Sequence, residues 1–293
     1  DNPEVRQWML EAFKFWVRDY DVDGFRVDVA WGIRERRPDF WSDWRAELKR
    51  IKPDLLLVAE ASARDEYYFD NGFDAAYDWT AALGRWAWEL VFEDPELLTF
   101  NLHSALTNRR AGGYHPDALI FRFLNNNDTA TRFVARYGSE MTRVAAALLL
   151  TLPGIPVVYT GDENGTLFTP YGDAGPISFE ERIRGLRDYY KSLIHLRRAT
   201  PSLHSRNWTI LNVEPHQQVY GYLRYLEDGS EPILVLLNFF NDPFEVDVPL
   251  PEGFEAFGAK TEFQDLLSGE TVTPVQSAPL KIAIPPMAVL ILA

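Results

Sequence analysis

The sequence contains no cysteine among its 293 residues, which excludes disulfide scaffolds, thiol nucleophiles and cysteine-ligated zinc or iron–sulfur sites. It also lacks an apolar run of the ~18 residues that a membrane-spanning helix needs, since the longest candidate, residues 144–152, ends at Pro153. Positive charge is scarce, with 29 Lys plus Arg against 43 Asp plus Glu and a formal net charge of −14. Such a surface repels phosphate backbones and anionic lipid, so neither nucleic acid nor a membrane is an expected partner. None of these absences decides between a cytoplasmic and a secreted protein.

Two kinds of segment alternate through the first two thirds of the chain. Hydrophobic residues make up 46% of the sequence, enough for one large core or two smaller ones. The predicted strands are residues 25–30, 55–59, 73–79, 119–124 and 155–159. The predicted helices are residues 3–20, 40–51, 81–92, 98–108, 139–152 and 178–199, the last opened by a Ser178/Glu181 capping box. Because the strand at 55–59 is apolar on both faces, a parallel sheet covered by helices is predicted.

The pattern changes near residue 203. From there, β-type runs at residues 219–225, 233–239 and 244–248 are separated by turn sequences such as Asp228-Gly229. Runs of this kind are typical of an antiparallel β domain of ordinary small-domain size. We therefore predict an α/β domain over residues 1–202 and a β domain over residues 203–293.

Three carboxylic acids stand at the carboxyl ends of predicted strands, namely Asp28, Glu60 and Asp128. In parallel α/β barrels these strand ends face the catalytic mouth, so acids that are far apart in sequence converge there. A single acid in such a place more often caps a helix or lies in a solvated loop. The residues around each acid change this interpretation.

The segments around these acids resemble motifs of the α-amylase superfamily of glycoside hydrolases. Residues 24–30 (GFRVDVA) are similar to its fourth-strand motif, 58–60 (VAE) to the fifth, 123–128 (FLNNND) to the seventh and 154–163 (GIPVVYTGDE) to the eighth. The motifs keep the family's order, and the resemblance covers essentially the whole chain. It implies an α/β fold consisting of the C-terminal part, strands four to eight, of a TIM (β/α)8 barrel, followed by an antiparallel β-sandwich domain.

The resemblance also implies a role for each residue. Asp28 is the nucleophile, Glu60 the general acid/base, Asp128 a carboxylate that grips the sugar, and Arg26 the companion of the nucleophile. Arg26, two residues from Asp28 on one strand face, favours the charged form of the nucleophile, whereas Glu60 must hold a proton. Carboxyl groups ~5–5.5 Å apart would give retention of anomeric configuration, and ~6.5–9.5 Å inversion. In the alternative interpretation, Arg26 and Asp28 merely pin the strand and Glu60 caps a loop.

Three further residues complete the predicted substrate-binding set. Asn127 stands where the family normally has a histidine, and it donates hydrogen bonds but carries no charge. Trp31 and Trp79 follow the predicted fourth and sixth strands, where their rings would stack on sugars, although packing in a core is the competing interpretation for both. The residues after Asp28 look closer to the cyclomaltodextrinase and neopullulanase branch, which suggests short or cyclic α-glucans as substrates.

The chain opens in the helix before the fourth barrel strand. Because five strands leave two open edges, we expect a companion polypeptide that carries strands one to three. No cofactor is expected on this chain, since the five histidines show no metal-ligand spacing, and the ligands of any Ca²⁺ would lie largely in the companion. The expected activity is retaining hydrolysis of α-1,4-glucosidic bonds in starch-type oligosaccharides or cyclodextrins. The alternatives are an α-glucan transglycosylase and a non-catalytic α-amylase-like assembly or binding subunit.

Overall fold

The computed structural model describes residues 2–108, 113–129, 131–168, 170–171, 178–214, 218–275 and 279–293. They fall into two compact units, one formed by Asp1–Ala87 with Thr107–Phe121 and the other by Trp88–Leu106 with Arg122–Ala293. These units are groups of residues in mutual contact. The domain boundary expected between residues 202 and 203 stays a prediction.

The first unit is a parallel sheet with helices. Its helices are α1 (Pro3–Tyr20), α2 (Ala30–Arg34), α3 (Phe40–Ile51) and α4 (Tyr67–Asn71), and its strands are β1 (Gly24–Val27), β2 (Leu56–Ser62), β3 (Ala75–Tyr77) and most of β4 (Leu119–Phe123). β1 pairs with β2, β2 with β3 and β3 with β4, all in parallel. The Asn2 side chain caps α1 by accepting a hydrogen bond from the Glu4 backbone N–H, as an N-cap residue does.

The core of the first unit lies between α3 and the sheet. Trp41, Trp44 and Leu48 on one face of α3 are buried in the same cluster as Leu57 and Ala59 of β2. The apolar face of α3 therefore packs against the apolar side chains of β2, as the sequence pattern predicted. This packing fixes the sheet that carries Asp28 directly after β1 and Glu60 within β2.

The second unit contains the end of β4 and everything that follows it in the described chain. Its helices are α5 (Leu98–Thr107), α6 (Phe133–Thr151), α7 (Leu186–Ala199) and α8 (Glu255–Gly258), and its first complete strand is β5 (Ile155–Val157). The strand order β1-β2-β3-β4-β5 is that of consecutive strands in a TIM barrel. It confirms the predicted class for the α/β part of the chain.

Antiparallel strands make up the rest of the second unit. They are β6 (Trp208–Leu211), β7 (Val219–Arg224), β8 (Ile233–Asn238), β9 (Phe244–Val248), β10 (Phe263–Gln264), β11 (Thr271–Val272), β12 (Leu280–Ile284) and β13 (Val289–Leu292). One sheet has the order β13-β8-β7-β6, and two-stranded sheets pair β12 with β9 and β10 with β11. Leu234, Leu236, Val246 and Ile282 from different sheets are buried in one cluster. The β domain is thereby confirmed, with β7, β8 and β9 in the predicted runs.

Helix α6 is interrupted near its start. Gly138 has φ 80° and ψ 178°, so the regular helix begins after it, as predicted from residue 139. Along the stretches that the structure describes, no helix is both long and apolar enough to span a membrane.

The helix predicted at residues 81–92 is wrong. Trp79 and Trp86 instead form an antiparallel bridge, and Gly84 between them has φ 74°. The backbone hydrogen bonds of this stretch therefore run across a loop, and the apolar spacing that indicated a helix serves the packing of individual tryptophans.

The predicted start of the last barrel helix is also wrong, because α7 begins at Leu186. Gly185 before it has φ 73°, and the backbone N–H groups of Arg182 and Ile183 donate to the carbonyl oxygen of Asn164. These bonds hold the segment outside the helix. The Ser178/Glu181 pair therefore lies ahead of the helix and does not form the predicted capping box, although Oε1 of Glu181 accepts a hydrogen bond from the backbone N–H of Arg187 in the first turn of α7 over 3.1 Å.

Candidate active site

The chain turns sharply after β1, directly beyond Asp28. Val29 has φ 49° and ψ 45°, a left-handed conformation that is unusual for a β-branched residue. Its backbone N–H donates to Oε2 of Glu60 over 2.6 Å. The strained residue therefore ties the end of β1 to the second of the predicted catalytic acids.

Glu60 lies inside β2, whereas the sequence predicted that the strand would end before it. The pairing of β2 with β3 shifts register between Ala59 and Ser62, so Glu60 sits at an irregularity of the strand. Bulges of this kind re-aim side chains next to functional sites. The Glu60 side chain keeps only 13% of its surface exposed, against 75% for Asp28.

Arg26 joins the two acids. Its Nη1 lies 2.5 Å from Oδ1 of Asp28 and its Nη2 lies 2.8 Å from Oε1 of Glu60. The two carboxylates come from neighbouring strands, β1 and β2, and share one planar cation. An arginine fits this arrangement because its fork of N–H donors serves several acceptors at fixed angles.

Asp28 and Glu60 differ in their electrostatic surroundings. The hydrogen bond from Arg26, followed by a hydrogen bond with Glu60, lowers the pKa of Asp28 below its ordinary value. Asp28 is therefore ionised at neutral pH, as a nucleophile must be. Glu60 has different surroundings, because its Oε2 accepts from the Val29 backbone N–H and its Oε1 faces Nη2 of Arg26.

The two predicted sugar-stacking tryptophans differ in exposure. Trp31 is half-buried and packs against the first core. Trp79 is only 3% exposed, with its ring centroid 4.9 Å from that of Tyr77. The burial of Trp79 favours the packing interpretation, and contact of either ring with sugar stays a prediction.

Asp128 and Asn127 belong to the second unit, in the turn that follows β4. Oδ1 of Asn126 accepts hydrogen bonds from the backbone N–H groups of Asp128 and Thr129, each over 2.9 Å. Nδ2 of Asn127 donates to Oδ1 of Asp128 over 3.0 Å. The run of three asparagines thus forms a side-chain-stabilised turn that presents Asp128 at the surface.

One residue of the cluster is missing from the sequence analysis. Nε of Arg26 donates to the hydroxyl of Tyr77 over 3.1 Å, across the sheet from β1 to β3. Strand alternation places Tyr77 on the same face as Trp79. The alternation that places Tyr77 on this face is visible in the sequence, but it does not predict the hydrogen bond between Tyr77 and Arg26.

The carboxylates of this cluster are Asp28 and Glu60, and both are paired with the Arg26 cation. In the part of the chain that the structure describes, no three His, Asp or Glu side chains are grouped to hold a metal ion. The chemistry derived below uses the chain's own side chains.

Comparison with known proteins agrees with the motifs. Residues 1–175 match the alpha-amylase catalytic domain and residues 208–291 the maltogenic amylase C-terminal domain. Neopullulanase 2 of Thermoactinomyces vulgaris is 29% identical over 98% of this chain and 47% of its own length. The maltogenic alpha-amylase of Bacillus acidopullulyticus is 30% identical over 81% of this chain and 41% of its own. The chain therefore spans less than half the length of these relatives.

Solved structures show the same fold. A noncanonic maltogenic alpha-amylase from Thermotoga neapolitana superposes with a TM-score of 0.76 at 22% identity, over 99% of this chain and 66% of its own. A cyclomaltodextrinase gives a TM-score of 0.78 at 22% identity, over 100% of this chain and 49% of its own. The resemblance drawn from the motifs is confirmed, including its cyclomaltodextrinase and neopullulanase branch. This chain belongs to the alpha-amylase family.

Proposed function

We propose that this chain carries the catalytic carboxylates of a retaining glycoside hydrolase that cleaves α-1,4-glucosidic bonds in starch-type oligosaccharides or cyclodextrins. The observation that carries the proposal is the single Arg26 guanidinium bonded to both Asp28 and Glu60. An arginine that merely pins β1 would need Asp28 alone and would not explain the bulge that turns Glu60 toward it. The relatives, a neopullulanase, a maltogenic alpha-amylase and a cyclomaltodextrinase, supply the substrate class.

In the proposed reaction, Asp28 attacks the anomeric carbon while the bond from that carbon to the leaving oxygen breaks. Glu60 gives its proton to the leaving oxygen, and a glycosyl ester on Asp28 remains. Glu60 then takes a proton from water as the water oxygen attacks the same carbon, which releases the Asp28 carboxylate and the sugar. Two inversions leave the anomeric configuration unchanged.

The environments of the two acids suit these roles. Asp28 is exposed and reachable by substrate, and Arg26 lowers its pKa so that it is ionised. Glu60 is largely enclosed and is oriented by the Val29 backbone N–H as well as by Arg26. We assign Asp128 to gripping the sugar, and Asn127, Trp31 and Trp79 to further substrate contacts, on the family motifs.

A companion segment with barrel strands one to three belongs to the same proposal. Within the described residues, β1 pairs only with β2, which leaves one edge of the sheet open. On α1 the following large apolar side chains are between 37% and 69% exposed: Val5, Trp8, Met9, Phe15, Trp16 and Tyr20. A patch of this kind marks a surface that another polypeptide covers.

A cavity beside Asp28 also supports a companion segment at this edge of the sheet. It has a volume of about 650 Å³ and is lined by residues of α1, β1 and the segment 33–41, among them Met9, Phe13 and Phe40 as well as Asp28. A further strand and helix placed here would enclose the nucleophile from its open side. We assign no cofactor to this chain, and a bound Ca²⁺ would take its ligands largely from the companion.

The test is hydrolysis of maltotriose and of β-cyclodextrin by the full protein and by its Asp28→Asn variant. We expect the substitution to reduce turnover at least about a thousandfold, because the covalent step loses its nucleophile. Asp54→Asn is the matched control, since Asp54 is exposed at the opposite, amino-terminal end of β2. Proton NMR of the first product formed should show the α-anomer. Full activity of Asp28→Asn would exclude the proposal, and a β-anomer would exclude the retaining mechanism.

The companion is tested by native mass spectrometry of the purified protein. We expect the 33.7 kDa chain to travel with a polypeptide, or to be continuous with a segment, of the size of three strand–helix units. An active enzyme consisting of the 33.7 kDa chain alone would exclude the companion.

A further inference from the structure

The Arg26 guanidinium uses its nitrogen atoms on three different groups. Nη1 binds Asp28, Nη2 binds Glu60, and Nε donates to the Tyr77 hydroxyl over 3.1 Å. The guanidinium is planar and rigid, so fixing the direction of one N–H fixes the directions of the others. The contact at Nε therefore decides where the two N–H groups that serve the acids can point.

Tyr77 is the best-anchored member of this cluster. It is 6% exposed and lies on β3, which pairs on both sides. Its ring centroid is 4.9 Å from that of Trp79 and 5.1 Å from that of Phe121. Its carbonyl oxygen accepts a hydrogen bond from the backbone N–H of Ala63 over 2.9 Å. The phenol oxygen consequently has a fixed position in the sheet.

The contact of Arg26 with Asp28 cannot supply that anchor equally well. Asp28 is 75% exposed, and it follows β1 at the start of a turn. Exposed ion pairs hold their geometry weakly because both side chains retain rotational freedom. The buried Tyr77 therefore restricts the motion of Arg26, and Arg26 in turn restricts the exposed Asp28 carboxylate.

We propose that Tyr77 is a positioning residue, whose hydroxyl holds the Arg26 guanidinium between Asp28 and Glu60. The proposal rests on the proposed function, since it concerns the same two acids. In this role Tyr77 acts on the two acids through Arg26.

The electrostatics around the cluster agree with this role. Burial lowers the pKa of Arg26, but the hydrogen bonds with Tyr77 and then Asp28 outweigh burial and raise it above the ordinary value. The charged groups around Asp28 are Arg26 from its own strand and Glu60 from β2, with three more arginines lining the adjoining cavity: Arg6, Arg36 and Arg37. The hydrogen bond from Arg26 to Tyr77 connects this set of charges to β3.

Removing the hydroxyl with Tyr77→Phe keeps the ring and its packing. The Nε–H of Arg26 then loses its acceptor, and the guanidinium turns more freely about its last side-chain bonds. We expect the Nε–H of Arg26 to exchange with water about tenfold faster or more, as on loss of one hydrogen bond to a charged group. The contact with Asp28 weakens as a result, and the pKa of Asp28 rises toward its ordinary value.

Both readouts come from NMR on the full protein and need no turnover. Arginine labelled with ¹⁵N reports the Nε–H exchange, with Arg26→Lys identifying the signal, and aspartate labelled with ¹³C reports the Asp28 titration, with Asp28→Asn identifying it. Tyr68→Phe is the matched control, because Tyr68 is 2% exposed in the same unit and lies beside a different arginine, Arg34, whose Cζ is 5.6 Å from the Tyr68 ring centroid. The control should leave both Arg26 exchange and the Asp28 titration as in the wild type.

The outcomes separate this inference from the proposed function. An Arg26 signal that exchanges quickly in the wild-type protein would overturn the inference even if Tyr77→Phe failed to fold. So would an Asp28 titration that is unchanged in Tyr77→Phe, or changed equally in Tyr68→Phe. Full turnover in Asp28→Asn would instead overturn the proposed function and leave these NMR results as they stand.

Discussion

The buried Arg224 offers the sharpest test of what stabilises the second unit. It is the last residue of β7, it is 0% exposed, and burial lowers its pKa to about 10, so it is still charged at neutral pH. Nε donates to the carbonyl oxygen of Asn207 over 3.2 Å and Nη2 to that of Leu203 over 3.3 Å. Further bonds reach the carbonyl oxygens of Ser205 and of Thr151.

The bond to Thr151 has a particular function, because Thr151 is the last residue of α6. The final carbonyl groups of a helix have no partner within it and carry partial negative charge. Arg224 supplies a donor and a positive charge at this point, and it also ties down three carbonyl groups of the loop between α7 and β6. One side chain of the β domain therefore holds the end of a barrel helix.

We expect Arg224→Leu to lower the free energy of unfolding by about 3–5 kcal/mol, the usual cost of breaking a buried charged network. Four carbonyl acceptors lose their donor, two of them in buried bonds and two in partly buried ones, which by itself costs more. Burying leucine requires no removal of water from a charge, and this offsets part of the loss. Arg198→Leu on the exposed face of α7 is the control and should stay within about 0.5 kcal/mol of the wild type.

Hydrogen exchange measured by mass spectrometry on peptides covering β7 and β8 localises the effect. A loss of about 3 kcal/mol corresponds to faster exchange by roughly two orders of magnitude where exchange requires unfolding. Urea unfolding followed by circular dichroism gives the free energy independently. The reasoning is refuted if Arg224→Leu loses less than about 1 kcal/mol, or no more than Arg198→Leu.

Two further predictions concern pH dependence and backbone conformation. Burial raises the pKa of Asp162 to about 7 although Arg132 lowers it, so the folded protein keeps a proton that the unfolded chain loses, and the free energy of unfolding falls as pH rises from about 4 to 7. Asp162→Asn should flatten that slope in urea unfolding at pH 5 and 7.5, and an unchanged slope would contradict this assignment. Gly72 has φ 150°, and an added Cβ would lie 2.6 Å from the Trp41 carbonyl oxygen. Gly72→Ala should therefore lower the free energy of unfolding by more than about 2 kcal/mol in thermal unfolding. Gly84 also has positive φ but has open space around it, so Gly84→Ala should lower it by only about 1 kcal/mol. Equal losses in the two variants would refute the steric argument.

Local sequence patterns were sufficient for much of the fold. The alternation of apolar strands and amphipathic helices up to residue 201 gave the five strands of the parallel sheet, and the spacing of turn residues gave β7, β8 and β9. These features depend on periodicity within about ten residues, which the sequence displays directly. The motifs around Asp28 and Glu60 were likewise local, and the structure places both acids beside Arg26.

Local patterns failed where backbone hydrogen bonds across a loop or to another segment decide the conformation. The apolar spacing of residues 81–92 indicated a helix, but the Trp79–Trp86 bridge prevails. The capping box predicted near residue 178 does not form, because hydrogen bonds to Asn164 on another segment hold this stretch outside the helix. In both places, specific hydrogen bonds outweigh propensities that differ by less than a kcal/mol per residue.

The sequence by itself determined which acids stand near the ends of strands, in which order, and in which family pattern, because those are properties of short segments. Only the tertiary structure decided that β2 carries its irregularity at Glu60, that Arg26 is held by a tyrosine 51 residues away, and that Arg224 reaches a helix end 73 residues away. The physical reason is that such hydrogen bonds become strong only after packing excludes water from both partners, and no window of the sequence contains both.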